Sequence, residues 1–244
     1  MTAKLNRRAM MGMAAALPLS AAMPARAAEC PVESEADRRL HSDFAWLGRY
    51  ADDNRALIAS GAATGIVFMG DSITQGWKDK RPGFFTPGRV NRGISGQTTP
   101  QMLLRMMADV IALRPRAVHI MGGTNDIAGN TGPMTEAMSR DTIAAMATLA
   151  RANGLRVLLA SIPPASHYPW RPGLDTRTPI AALNGWMRDY AAQAGLDWID
   201  YHAVLDDGAG GMKPGLSYDN VHPTEAGYDA MAGLLTPRLA ALGL

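Results

Sequence analysis

Short apolar runs alternate with amphipathic stretches along the chain from residue 66 onward. Runs that are apolar at consecutive positions and rich in β-branched or large aliphatic side chains predict strands buried on both faces. Such strands are predicted at 66–69, 117–123, 155–162 and 196–201, and a further short apolar stretch precedes residue 91. The pattern is typical of a parallel sheet that is covered on both sides.

The stretches between the apolar runs have the periodicity of helices. Residues 98–113 are predicted to form a helix with Thr99 as its cap and Pro100 in its first turn, and the predicted inward side chains are Leu103, Met106, Met107, Val110 and Ile111. Further helices are predicted at 135–152 and 178–195. A last helix is predicted to open at Thr224, to be kinked or frayed by Pro237, and to turn inward Tyr228, Met231 and Leu235.

Strands that are separated by single helices return to one sheet through right-handed crossovers. The predicted fold class is therefore α/β, a single three-layer α/β/α domain with a mostly parallel sheet of roughly five strands. The chain has 244 residues, of which 47% are hydrophobic, and no linker or internal repeat divides it. One domain spanning residues 28–244 is the expectation.

Residues 1–27 have the composition of a secretory signal peptide. Lys4, Arg7 and Arg8 precede a modest apolar stretch, and Ala25-Arg26-Ala27 supplies small residues at the spacing of a cleavage site. The apolar stretch is too short for a transmembrane helix, and no other segment of the sequence is long enough. We therefore expect an exported protein, periplasmic or extracellular, and the arginine pair leaves both the general and the twin-arginine route open.

Charge and cysteine content narrow the function classes. The formal net charge of +2 becomes −2 when the four basic residues of the leader are removed. The sequence contains no stripe of lysine and arginine residues of the kind that would predict nucleic-acid binding. The single cysteine, Cys30, excludes an intramolecular disulfide, and Glu29 before it argues against a lipoprotein signal. The sequence leaves the oligomeric state open.

The first strand runs into the polar sequence GDSITQGW at 70–77. Ligands of open α/β sheets bind beyond the carboxyl ends of the strands, and Gly70 permits a sharp turn there. Ser72 would then lie at the edge of that crevice. The alternative is that Asp71 or Ser72 only caps the helix that follows.

Three more polar blocks follow strands or precede a helix. They read NRGISGQTT at 91–99, GGTND at 122–126 and YDNVHPTEAGY at 218–228. Taken alone, each block has a structural explanation. Gly93 and Gly96 are then turn glycines, Asn125 is a helix cap, and Asp219 and His222 are loop residues bonded to nearby backbone. Together with Ser72, the blocks put a serine, an asparagine, a histidine and an aspartate at one edge of one sheet.

These four blocks resemble those of the SGNH subgroup of GDSL esterases and lipases, in the same order, over residues 64 to 240. The resemblance implies a flavodoxin-like fold and hydrolysis of carboxylic esters through an acyl-enzyme. It implies that Ser72 is the nucleophile and that its oxyanion hole consists of the backbone N–H groups of Ser72 and Gly96 and the side-chain amide of Asn125. Gly93 is the alternative to Gly96.

The proposed roles of the last block have a physical reason. A serine hydroxyl becomes a good nucleophile when an imidazole accepts its proton, and His222 is the only histidine in a block that also offers an adjacent carboxylate at a short turn. Asp219 would accept the other ring N–H and fix the tautomer. The pattern Asp219-Asn220-Val221-His222-Pro223 matches the Asp-x-x-His-Pro pattern of the resembled subgroup.

The other histidines and the known cofactor motifs offer no competing site. His119 lies in an apolar strand and reads as a core histidine, His41 lies in a predicted N-terminal helix, and His202 has no partner in sequence. No histidine spacing predicts a metal site, and no glycine-rich phosphate motif follows a strand, so we expect neither metal nor cofactor.

The loop PPASHYPWRPGLDTR at 163–177 leaves the sheet at the edge where substrate would bind. Tyr168, Trp170 and Arg171 are candidates for a pocket wall, although Trp170 could instead pack the loop onto the domain. The sequence shows no long apolar lid, which favours short acyl or O-acetyl esters, including those on carbohydrates. The alternatives are a lysophospholipase or thioesterase acting on longer chains, and a non-catalytic module that binds carbohydrate or lipid.

Overall fold

The computed structural model describes residues 34–244, and in this part of the chain five parallel strands form one sheet. The predicted leader, Glu29 and Cys30 lie outside the described residues. The sheet has the order β2-β1-β3-β4-β5. Its strands are β1 Ile66–Gly70, β2 Arg89–Gly93, β3 Ala117–Met121, β4 Arg156–Ala160 and β5 Asp197–Ile199. The predicted α/β class is confirmed.

The topology reverses at the first strand, because β2 pairs on one side of β1 and the chain then crosses back to place β3 on the other. Gly70 at the end of β1 is in register with Gly93 of β2 and with Met121 of β3, so the three strands end at one level. A crevice beyond the carboxyl ends at such a switch point is where open α/β sheets bind ligands.

Helices cover both faces of the sheet. Their bounds are α1 Glu35–Ser42, α2 Ala51–Ser60, α3 Ser72–Lys80, α4 Thr99–Arg105, α5 Thr124–Ala128, α6 Glu136–Ala152, α7 Arg177–Ala194, α8 Tyr201–Leu205 and α9 Glu225–Ala241. Short 3₁₀ turns lie at Leu47–Tyr50, Pro82–Phe84 and Ile111–Leu113. None of the helices in residues 34–244 is long and apolar enough to span a membrane.

Successive strand residues point to opposite faces of the sheet and contribute to two separate apolar cores. On one face, Val67 and Met69 pack with side chains of α4, α6 and α7. On the other, Ile66 and Phe68 pack with α3, α8 and α9, where the side chains predicted to face inward are indeed buried: Tyr228, Met231 and Leu235. The last helix continues through Pro237 to Ala241. The two cores make the three predicted layers.

The helix predicted at 98–113 differs from the expectation in two ways. Thr98, not Thr99, is its N-cap, and the Thr98 backbone N–H donates to Gln101 Oε1 at 3.0 Å. The α-helix also ends at Arg105 and continues as a π-helical turn over Met106–Val110. Met107 was expected inward and is instead 56% exposed.

The displacement of Met107 has a polar cause. Arg105 and Asp109 occupy the inward positions as a completely buried ion pair, with 2.6 Å between Arg105 Nη1 and Asp109 Oδ2. Arg105 also donates through Nε to Gln97 Oε1 at 2.7 Å and through Nη2 to the carbonyl of Arg92 at 3.0 Å. Asn54 Nδ2 donates to the remaining carboxylate oxygen of Asp109 at 2.6 Å. This buried network fastens α2 and α4 to the loop after β2.

Candidate active site

Ser72 stands at the start of α3, where the end of β1 brings it to the sheet edge. A Cβ at Gly70 would collide with the side chain of Thr74 and lie 2.9 Å from the carbonyl oxygen of Met121, so only glycine fits this turn. Asp71 is the helix cap, because its Oδ1 accepts from the Ile73 backbone N–H at 3.0 Å. Ser72 is the first helical residue, and its hydroxyl is free to bond elsewhere.

His222 lies between Ser72 and Asp219 in a continuous line of hydrogen bonds. Ser72 Oγ is 2.9 Å from His222 Nε2, and His222 Nδ1 is 2.6 Å from Asp219 Oδ2. The two residues joined by the first bond are 150 positions apart in the sequence. The side chains of His222 and Asp219 are 21% and 28% exposed, so both remain partly accessible to solvent.

A tight turn holds the carboxylate of Asp219 in place. Its Oδ1 accepts from the backbone N–H groups of Val221 at 3.0 Å and of His222 at 2.7 Å. Partial burial raises the pKa of this carboxyl, but the hydrogen bonds from His222 and Val221 outweigh that effect and hold the pKa below its ordinary value. Asn220 has a φ of 72° and ties the turn to the 163–177 loop by donating to the carbonyl of His167 at 2.8 Å.

The structure distinguishes the two glycines that the sequence left open. The Gly93 N–H donates to Asn91 Oδ1 at 2.9 Å, and a Cβ there would lie 2.8 Å from the carbonyl oxygen of Asp71. Gly93 is therefore required for packing against α3, and its N–H is occupied. Gly96 has a φ of 78°, faces open space, and its N–H has no hydrogen-bond acceptor among the described residues.

The amide of Asn125 approaches the same place from the first turn of α5, which follows β3. Its Nδ2 donates to the carbonyl of Gln97 at 3.0 Å and lies 3.5 Å from Asp71 Oδ2. The N–H of Ser72, in the first turn of α3, likewise has no acceptor among the described residues. The Asn125 amide is thus bonded to the sequence neighbours of both backbone N–H groups, Asp71 before Ser72 and Gln97 after Gly96.

Two buried carboxyl groups lie beneath this site. Burial raises the pKa of Asp71 to about 6, even though the Ile73 N–H and the nearby His222 both act to lower it. Burial also raises the pKa of Asp126, against hydrogen bonds from Thr99, whose hydroxyl donates to Asp126 Oδ1 at 2.7 Å. Asp126 thereby joins α5 to the first turn of α4.

Comparison with known proteins identifies the family. Residues 68–230 match the model of the GDSL-like lipase/acylhydrolase family. The chain belongs to this family of carboxylic ester hydrolases. Over 212 residues it is 29% identical to esterase TesA of Pseudomonas aeruginosa, a match that covers 77% of this chain and 99% of TesA.

Solved structures agree with the family assignment. A GDSL-like lipase from Bacteroides thetaiotaomicron has a TM-score of 0.77 and 39% identity, covering 82% of this chain and 100% of that one. The structure of TesA has a TM-score of 0.56 and 25% identity, covering 73% of this chain and 99% of the TesA chain. The sequence-based resemblance to the SGNH subgroup is thus confirmed at the level of family and fold.

The three candidates for a pocket wall occupy different places in this GDSL-family site. Tyr168 is only 1% exposed and forms part of the core, so it is not a wall residue in the described structure. Trp170 stacks on it with ring centroids 5.1 Å apart, is 40% exposed and lies 6.3 Å from the His222 ring. Trp170 therefore both packs the loop and borders the site. Arg171 is exposed and lies near Gly129.

Two residues beside the site were not singled out from the sequence. Tyr218 is 65% exposed and stacks on the His222 ring, with centroids 5.7 Å apart. It begins the quoted block YDNVHP, so its closeness to His222 was a usable signal. Asn130 donates to Asn125 Oδ1 at 2.7 Å, and it lies in an irregular loop whose path no periodicity predicts.

The remaining histidines lie where the sequence suggested. His119 is fully buried, its Nε2 lies 3.0 Å from the hydroxyl of Tyr201, and burial lowers its pKa to about 3. His41 is in α1, and the backbone N–H of His202 donates to Ser161 Oγ at 2.8 Å. Within residues 34–244, no group of histidine, cysteine, aspartate and glutamate side chains is arranged to hold a metal ion.

Proposed function

We propose that the protein is an exported serine esterase that cleaves short-acyl or O-acetyl esters, including those on carbohydrates, through an acyl-enzyme on Ser72. The observation that carries the proposal is the hydrogen-bonded line from Ser72 Oγ through His222 to Asp219, at 2.9 Å and 2.6 Å. Export is supported by the leader-like sequence of residues 1–27.

In the first half of the reaction, Ser72 Oγ attacks the ester carbonyl carbon while His222 Nε2 takes the hydroxyl proton. The carbonyl π electrons move to oxygen and form a tetrahedral oxyanion. When the carbon–oxygen bond to the alcohol breaks, His222 gives its proton to the departing alkoxide. The products of this half are the free alcohol and an acyl group bonded to Ser72.

In the second half, water takes the position of the alcohol. His222 accepts a proton from that water as the water oxygen bonds to the acyl carbon. The second tetrahedral intermediate then collapses, the bond to Ser72 Oγ breaks, and His222 returns the proton to the serine. Asp219 stabilises the imidazolium in both halves and keeps the Nδ1 proton on the far side of the ring.

The oxyanion is assigned to three donors: the N–H groups of Ser72 and Gly96 and the amide of Asn125. Both backbone donors have no protein acceptor among residues 34–244, which supports their use by a ligand. The N-terminal end of α3 adds the favourable end of its dipole at the same point. Removing one such donor typically lowers turnover by about 10²–10³-fold.

The surroundings of His222 support a ring-shaped or flat alcohol. The departing oxygen must lie next to the imidazole that protonates it, and two exposed aromatic rings, Trp170 and Tyr218, flank that imidazole. Exposed aromatic faces suit sugar rings and other flat groups. Tyr218 also lines an open surface depression of about 430 Å³, together with Lys80 and Thr224.

Hydrogen bonds between the loops around the site support the proposal that the acyl group of the substrate is small. Trp170 Nε1 donates to Asn130 Oδ1 at 3.2 Å, and the hydroxyls of Thr98 and Thr131 are 3.0 Å apart. These contacts hold the loop around residue 130 against its two neighbours. A long acyl chain that ran between those loops would have to part them, whereas an acetyl group would not.

The test is hydrolysis of p-nitrophenyl esters from acetate to palmitate by the purified protein, with Ser72→Ala as the control. We expect a rate that falls beyond butyrate and is abolished by the substitution, followed by release of acetate from acetylated glycans. A maximum at long chains would replace the proposed substrate by lipids or thioesters. No turnover of any ester would favour the binding module, and full activity of Ser72→Ala would refute the nucleophile.

A further inference from the structure

The side-chain amide of Asn125 can serve the oxyanion only in one of its two orientations. Its nitrogen end donates hydrogen bonds and its oxygen end accepts them, and the two ends have nearly the same shape. If the amide rotated by half a turn about its last bond, an oxygen would face the developing negative charge. Some feature of the protein must therefore fix which end points toward Ser72.

Three hydrogen bonds run in sequence from the rim of the site to its floor. Trp170 Nε1 donates to Asn130 Oδ1 at 3.2 Å. Asn130 Nδ2 donates to Asn125 Oδ1 at 2.7 Å. Asn125 Nδ2 then donates to the backbone carbonyl of Gln97 at 3.0 Å, and it makes a longer hydrogen bond of 3.5 Å to Asp71 Oδ2 that favours the same orientation. Two amides in series thus connect an indole to a carbonyl.

The two ends of this series each work in one direction only. An indole N–H donates and never accepts, while a backbone carbonyl accepts and never donates. Rotating the amide of Asn125 alone would set oxygen against the Gln97 carbonyl and nitrogen against nitrogen at Asn130. Rotating both amides would set the Trp170 N–H against an N–H group and the Asn125 oxygen against the Gln97 carbonyl. Every alternative arrangement therefore contains two mismatched contacts.

Both ends are held rigidly. The Trp170 ring lies flat on the buried ring of Tyr168, with an interplanar angle of 3°. Gln97 is fixed by its side chain, which accepts from Arg105 Nε at 2.7 Å and donates to the carbonyl of Ala45 at 2.7 Å. Neither end can turn to accommodate a reversed amide without breaking these contacts.

We propose that Trp170 and Asn130 are positioning residues that set the direction of the Asn125 amide, so that its N–H faces the oxyanion. The inference rests on the proposed esterase function for its catalytic consequence. It assigns a role to the indole that differs from substrate contact. Asn130 and Trp170 act through Asn125 and need not touch the reacting atoms.

The first experiment reverses the donor in the middle of the series. Asn130→Asp is nearly isosteric but offers only acceptors, so Asn125 would turn its nitrogen toward the new carboxylate and its oxygen toward the oxyanion. We expect kcat to fall about 10²–10³-fold, as for the loss of an oxyanion donor, with KM nearly unchanged. Asn153→Asp is the matched control, because Asn153 is an exposed asparagine that donates to the carbonyl of Leu149.

The second experiment removes the donor at the rim. Trp170→Phe retains an aromatic ring over Tyr168 but lacks the N–H, so we expect a several-fold fall in kcat while Gln97 still holds the other end. Trp186→Phe is the control, because Trp186 stacks on Tyr190 at 5.1 Å and its indole makes no hydrogen bond within the described residues.

A double-mutant cycle separates positioning from general damage. In an Asn125→Ala background there is no amide to orient, so Asn130→Asp should lower kcat no further. If Asn130→Asp lowers kcat by the same factor in that background as in the wild type, the proposal is wrong. The same holds if Asn130→Asp and Asn153→Asp have equal effects.

Side-chain amide resonances give a readout that needs no turnover. In ¹H–¹⁵N correlation spectra, with Asn125 and Asn130 assigned from Asn125→Ala and Asn130→Asp, we expect Trp170→Phe to shift both amide pairs and Trp186→Phe to shift neither. Unshifted amides in Trp170→Phe would overturn the inference. If Trp170→Phe shifts both amide pairs but the wild-type protein hydrolyses no ester, the proposed function would be rejected and the hydrogen-bond series would stand.

Discussion

Replacement of Arg105 by methionine tests whether the buried network below the oxyanion loop stabilises the fold. The guanidinium and its partner Asp109 are both completely buried. Methionine has a similar length and restores apolar packing, but it leaves the Asp109 carboxylate with only the amide of Asn54 as a side-chain donor. The substitution therefore removes the hydrogen-bonded cation of Asp109 without creating a large cavity, and Arg92 remains in the network as a cation that makes no hydrogen bond to Asp109.

The expected loss follows from that removal. Removing one partner of a buried ion pair typically costs about 3–5 kcal/mol, and partial compensation of Asp109 by Arg92 places the expected loss toward the lower end of that range. Gln97 Oε1 and the carbonyl of Arg92 also lose their Arg105 donors, and each unsatisfied buried acceptor costs about 1–3 kcal/mol. The terms overlap, so we expect about 3–5 kcal/mol for Arg105→Met, and about 1–3 kcal/mol for the double variant that also carries Asp109→Leu.

Urea unfolding followed by tryptophan fluorescence measures both values by linear extrapolation, and an unchanged slope is needed for the comparison. The double variant is the control, because it removes the carboxylate charge while keeping the loss of the donors. A loss below about 1 kcal/mol in Arg105→Met would refute the reasoning. So would a double variant less stable than the single one.

Two further predictions concern carboxyl groups of the site. Asp219→Asn should lower kcat about 10⁴-fold, because the amide still accepts from the backbone but favours the wrong histidine tautomer; circular dichroism should show an unchanged fold, and a fall under tenfold would contradict the proposed role. Burial raises the pKa of Asp71 from 3.8 to about 6, so its stabilising contribution is complete below about pH 4 and is lost as the pH rises through 6. Asp71→Asn can still cap α3. As the pH rises from 4 to 7, the free energy of unfolding of Asp71→Asn, measured with urea, should therefore increase by up to about 3 kcal/mol relative to that of the wild type. Parallel stability curves for the two proteins would exclude the raised pKa.

The sequence was sufficient to predict the fold class and the neighbourhood of Ser72 and His222. Parallel strands joined by single helices end at one edge, so polar blocks that follow different strands meet there even when they are far apart in the chain. The choice between Gly93 and Gly96 required the structure, because sequence does not show which N–H is occupied. The bond from the Gly93 N–H to Asn91 Oδ1 is local to β2, but no sequence pattern indicates that it forms.

The π-helical turn after α4 could not be read from hydrophobic periodicity. A pattern of apolar spacing assumes that charged residues face water, so it predicts Met107 inward and gives no reason to bury Arg105 and Asp109. Their mutual ion pair and the bond to Asn54 reverse that preference. Asn130 was missed for a related reason, since its position depends on contacts between loops rather than on any repeat within one.

The separation of 150 residues between the two bonded side chains Ser72 and His222 also bears on how the protein is made. Contacts between distant parts of a chain form late, and a parallel sheet must close several crossovers before its last segment can dock. During synthesis, the serine emerges long before the imidazole that would activate it. If Ser72 and His222 act as proposed, a growing or truncated chain carries an inert hydroxyl, and recovery of ester hydrolysis after dilution from denaturant reports completion of the whole fold rather than of any local part.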